Sequence, residues 1–245
     1  MNDFLLVLAL AAMPAAANFL GGLLAEVLPL SQRLLSLALH LAAGIILAVV
    51  GIELMEQVLQ ATPVWLPLLA LVAGGGFTVL LDWGVQLVRV RTGTTESAGP
   101  WLIFIGVAVD LFSDGILIGT GSTIGLGLGL LLALGQVPAD LPEGFATIAA
   151  FRDKGVPRRR RLLLAASFAL PIFLGATVGY WAVRGQPDIY KQVLLAFTAG
   201  ILLTVAVEEI LTEAHEGDGG SSWDTLALVG GFALFALLSA SLEAA

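Results

Sequence analysis

Apolar stretches of membrane-spanning length alternate with short polar breaks along the whole chain. The alternation predicts eight helices, at about 3–27, 33–59, 63–90, 100–120, 124–151, 159–184, 189–215 and 223–244. Each is long enough to cross a hydrocarbon layer of about 30 Å at about 1.5 Å per residue. The least marked division lies between the fourth and fifth, where GTGSTIGLGLG offers only glycines and small polar residues as a turn; read as one helix, it would reduce the count to seven. Two stretches resemble each other: HLAAGIILAVVGIELMEQ (40–57) and FTAGILLTVAVEEILTE (197–213), with Gly44 matching Gly200 and Glu53 matching Glu209. The second helix runs one way across the membrane and the seventh the other, so the repeat is inverted. The predicted fold class is an all-α membrane protein. Its eight transmembrane helices form a single domain, 1–245, with helices 1–3 and 6–8 related by an inverted repeat around central helices 4 and 5.

Composition agrees with the pattern. Of 245 residues, 58% are hydrophobic and only 12% charged, 29 are glycine, and the mean hydropathy is +0.96, which excludes an ordinary soluble domain. There is no cysteine, so thiolate metal sites, disulfides and cysteine nucleophiles are excluded, and with two histidines any metal ligands must be mostly oxygen. The start, MNDFLLVLALAAMPAAA, lacks the basic n-region of a signal peptide and reads as the first membrane helix.

The basic residues orient the chain. Arg33, Arg89, Arg91, Arg152, Lys154 and Arg158 to Arg161 follow helices one, three and five, leaving only Arg184 and Lys191 of the 11 basic residues on the other side. The expected location is a prokaryotic inner membrane with both termini outside. The RRRR run is read as an orientation signal, with no nucleic-acid partner. The five tryptophans fall near predicted helix ends, as interfacial anchors do.

The candidate chemistry is a set of carboxylates placed where hydrocarbon should be. Asp110 and Asp114 in DLFSDG are four apart, and Asp140 and Glu143 in ADLPEG are three apart, so each pair shares a helix face. Left charged and unpaired at a membrane centre, the four would cost roughly 10–14 kcal/mol. Both pairs fall near mid-helix, so antiparallel fourth and fifth helices would bring all four to one level. Pro142 would free the carbonyl of Pro138, and Ser113 and Ser122 add hydroxyl oxygens. Such oxygen-only surroundings suit Mg, Mn and Fe(II), with Zn or Cd reachable through carboxylates, and metal binding would release protons. An internal polar network is the bland alternative, but the surrounding helices offer no buried Arg or Lys as partner.

Two further groups are candidate stations on a cation path. His40, Glu53 and Glu56 lie along the second helix, with Glu53 and Glu56 three apart near its outer end. Glu208, Glu209, Glu213, His215, Glu216 and Asp218 gather at the inner end of the seventh. Solvated helix ends are the plain reading of both. Asp82, Asn18 and Glu26 are left unassigned.

ADLPEGFATIAAFRDKG resembles the fifth-helix HNIPEG signature of the ZIP (Zrt/Irt-like) divalent metal transporters. DLFSDG is similar to their helix-four HNxPEG element, and VEEILTEAH (207–215) to the EExxPExH end of helix seven. The resemblance implies an eight-helix transporter with both termini outside, moving a divalent cation (Zn, Cd, Mn or Fe(II)) by alternating access with no prosthetic group; homodimerisation is left open. It places Asp110 where the family has histidine, Asp114 on its carboxylate, Asp140 on its asparagine or aspartate and Glu143 on its glutamate. Leu111, Ala139 and Leu170 stand where other ligands are expected, which implies one oxygen-rich site instead of two. A transport-dead receptor or scaffold on the same fold is the first alternative. An intramembrane carboxylate enzyme is the second, and the GxGD and DGxxAR motifs it would need are absent from the sequence.

Overall fold

A computed structural model describes residues 2–28, 31–92, 99–215 and 221–243, and among these it is helical with no strand. Eight rods follow one another: α1 (Asn2–Val27), α2 (Gln32–Leu59), α3 (Trp65–Thr92), α4 (Gly99–Ile124), α5 (Leu126–Asp153), α6 (Arg158–Val183), α7 (188–215) and α8 (Ser222–Glu243). Six of them, all but α3 and α5, are long and apolar enough to cross a membrane. In α3 the apolar part is the shorter stretch Trp65–Leu81. In α5, Gln136, Asp140, Glu143 and two prolines interrupt the apolar run.

The doubtful division between the fourth and fifth helices is real. A single extended residue, Gly125 (φ −168°, ψ 142°), separates α4 from α5. The two then fold back on each other, because Gly121 packs against Leu132, and Gly129 against Ser122, without an intervening side chain.

Four long seams hold the bundle: α1 with α5, α4 with α6, α3 with α7 and α2 with α8. Each carries a glycine on both helices. A Cβ at Gly44 would strike the backbone of Leu228 and one at Gly231 that of Leu41. Gly74 and Gly200 stand in the same relation to Phe197 and Leu71, and Gly21 and Gly144 to Leu141 and Asn18. Exchanging α1 with α6, α2 with α7, α3 with α8 and α4 with α5 leaves this set of seams unchanged.

Two rods contain a π-helical segment, Val49–Leu54 in α2 and Val205–Ile210 in α7. They occupy matching positions in the two similar stretches, each beginning five residues after the matched glycine. Between Ser167 and Ala169, α6 steps at Phe168, close to where Pro171 withholds its N–H from the carbonyl of Ser167. By contrast, α5 runs on through Pro138 and Pro142.

At the end of the bundle marked by the basic residues, Glu26 of α1 receives Arg161 of α6 in two hydrogen bonds, 2.5 Å from Nε and 2.8 Å from Nη2, with Arg158 at 3.4 Å. Arg152 of α5 donates to the carbonyl of Ala25 at 2.8 Å. Beside the orientation expected of them, the arginines have a structural part: three of them tie the end of α1 to its neighbours. The outward faces of α3 and α8 expose Leu69, Val72, Leu80, Leu226, Val229 and Leu237, as a lipid-facing surface requires.

Candidate metal centre

The α4–α5 hairpin sets Asp110 and Asp114 against Gln136, Asp140 and Glu143, all lining one cavity of about 220 Å³ between these two helices, α2 and α7. Asp114, Gln136 and Asp140 are 2%, 1% and 1% exposed. The carboxamide nitrogen of Gln136 donates to Oδ1 of Asp114, and Asp140 and Glu143 hydrogen-bond to each other. Asp110 Oδ1, Asp140 Oδ2 and Gln136 Oε1 are buried without a hydrogen-bond partner. Three unsatisfied acceptors around one cavity call for protons or a cation, since a buried oxygen without a donor costs on the order of 1–3 kcal/mol. Among the described residues, no Lys or Arg lines the cavity.

The expectation of four acids at one level needs refinement. They share the cavity, yet among the described residues no three acid or imidazole groups converge closely enough to hold a metal ion as they stand. Asp114 is turned to Gln136 and Asp140 to Glu143, and a cation would have to draw the two pairs together. The two serines do not contribute. Ser113 Oγ donates to Val109 O at 3.0 Å and Ser122 Oγ to Ile118 O at 2.7 Å, each back-bonding to its own helix. Gln136, by contrast, escaped the sequence reading because it is uncharged, although its spacing of four and seven from Asp140 and Glu143 puts it on their face.

The outlying candidates are redistributed. Glu53 is buried and accepts from Ser239 of α8 at 2.5 Å, while Glu56 is exposed and accepts from Gln60 at 3.1 Å, so the two do not form one group. His40 belongs instead with His215, their rings 4.8 Å apart. Each ring holds its Nδ1 against a backbone carbonyl of its own helix, Ser36 O at 2.8 Å and Leu211 O at 2.5 Å. A carbonyl only accepts, so Nδ1 is the donor in each ring. Glu216 and Asp218 lie outside the described residues, as do the side chains of Asp82, Glu209 and Glu213.

Residues 85–239, more than half of the chain and including all six cavity-lining polar residues, match the Zip family, the ZIP zinc transporters. The chain belongs to the ZIP zinc transporter family. Zinc transporter ZIP10 of Homo sapiens is 27% identical over 144 residues, which cover 59% of this chain and 17% of that protein. Zinc transporter ZIP4 of Mus musculus is 29% identical over 145 residues, 57% of this chain and 22% of that protein. The human ZIP4 reaches 30% over the same length. The chain thus spans about a fifth of the length of these curated relatives. With its apolar helices, this ZIP chain is an integral membrane protein, of a family of transporters and not of enzymes.

Proposed function

We propose that this ZIP protein carries divalent metal cations across the membrane by alternating access, with Asp110, Asp114, Asp140 and Glu143 as the cargo site. The carrying observation is the group of partnerless acceptor oxygens of Asp110, Asp140 and Gln136 around one cavity without a lysine or arginine. The metal is cargo and not a resident group. The matched glycines, the exchangeable seams and the two π segments support an eight-span inverted repeat. The basic-residue distribution supports outside termini.

From Asp114 the cavity continues past Asp110, Asp140 and Glu143 to Thr147, Ala150 and Ile210, towards the basic end. The opposite side is packed by Leu117, Ile118, Leu131 and Leu132. This asymmetry supports an inward-facing state. His40 and His215, at the basic end, form the release station, with Glu209 and Glu213 on the same helix as His215.

Uptake into proteoliposomes loaded with a metal-sensitive dye, across Mn, Fe(II), Zn, Cd and Mg, tests the proposal. At least one ion should move, and Asp114→Asn and Glu143→Gln should each lower its flux by roughly 10–100-fold. Silence for all five ions would sink transport and favour the receptor or scaffold reading, which the unconverged acids already support. Full flux in both variants would sink the site.

A further inference from the structure

We infer that Gln136 is itself a cargo ligand, a neutral fifth oxygen donor that sets the cavity towards octahedral, oxygen-preferring divalent cations such as Mn(II) and Fe(II). This rests on the transport-site reading above. It adds a residue and a selectivity to it.

The two ends of the carboxamide have different surroundings. The carboxamide nitrogen donates to Asp114 Oδ1, so the carbonyl oxygen faces away from it. That oxygen has no partner, although Gln136 is 1% exposed and lines the cavity. A glutamine that merely filled space or braced Asp114 would be expected to satisfy its carbonyl with a backbone N–H or a hydroxyl. Here the oxygen belongs to the same cavity as the partnerless oxygens of Asp110 and Asp140.

The amide does two things for a cation. Through its nitrogen it restrains Asp114; through its oxygen it adds a donor without adding a fifth negative charge to a crowded site. The resulting set, four carboxyls and one carboxamide, holds no imidazole, since His40 and His215 pair elsewhere. Five oxygens suit six-coordinate Mn(II), Fe(II) or Mg(II) better than zinc, which favours four ligands including nitrogen or sulfur. Strong hydration holds back Mg(II), leaving the Mn(II) and Fe(II) class.

Metal-induced difference infrared spectra of the purified full-length protein, with Mn(II) as the probe, separate the two readings. Mn(II) should shift the carboxylate bands and, together with them, one side-chain amide carbonyl band that disappears in Gln136→Leu. Should that variant fail to fold, Gln136→Glu removes the same band while keeping the shape. In competition binding, Gln136→His should move the preference from Mn(II) towards Zn(II) by about tenfold, equivalent to about 1.4 kcal/mol. Shifted carboxylate bands without an amide band that depends on Gln136 would overturn the ligand role and leave the carboxylate site standing. An unchanged Mn(II)/Zn(II) ratio in Gln136→His would overturn the selectivity. No shift in either kind of band would overturn the site and, with it, the inference.

Discussion

Glu26 and Arg161 show how much one side chain can hold at the edge of a membrane. Their side chains are 4% and 11% exposed, and the two parallel hydrogen bonds fix both the distance and the angle between α1 and α6. In a double-mutant cycle of Glu26→Gln and Arg161→Gln, read by thermal unfolding in detergent, the coupling should be roughly 1–3 kcal/mol. A merely solvated pair would give under about 0.5 kcal/mol. Neither the pairing nor the role of Gln136 could be read from the sequence, for different reasons. Glu26 and Arg161 are 135 positions apart, so no local spacing betrays them. Gln136 is local to the acids but uncharged, and only its partnerless carbonyl marks it. The four acids themselves were legible because a carboxylate in an apolar run has a large transfer cost, which demands an explanation wherever it occurs.

The helices were legible almost to their ends, because the alternation of apolar runs and polar breaks is itself the fold's main constraint in a membrane. Gly125 shows where that signal thins out: one extended residue turns the chain, and composition alone left one helix or two open. The π segments are a different matter. They are a change of backbone register inside uninterrupted apolar sequence, so only the internal similarity of 40–57 to 197–213 hinted that the two rods would share a feature. The seams give a sharper test at this scale. Gly144→Val should lower the melting temperature strongly and reduce the yield of folded protein, because the new Cβ would meet the backbone of Asn18. Gly51→Ala, where a Cβ meets nothing within 4 Å, should leave the melting curve unchanged or shift it slightly upwards. Equal losses in both would mean that close approach is not what the seam glycines provide.

At the scale of the whole molecule, Leu117, Ile118, Leu131 and Leu132 pack one side of the cavity, and its lining runs past Thr147 and Ala150 on the other. Since the chain has no cysteine, Ala150→Cys reports this directly. A membrane-impermeant thiol reagent should label it from the basic side and not from the opposite one, and Mn(II) should slow the labelling. Labelling from the opposite side alone would reverse the orientation. The membrane class and the acid pairs could be taken from the sequence at this scale. The pairing of helices could not, because glycines are distributed over most of the rods and nothing in their order says which face meets which. That pairing also constrains how the molecule is made. As the chain leaves the ribosome, α1 enters the bilayer four helices before its seam partner α5 exists, and α2 six helices before α8. The ion pair of Glu26 must wait for α6. Early helices must therefore survive in the membrane with glycine-lined faces uncovered and a carboxylate unanswered until their partners emerge.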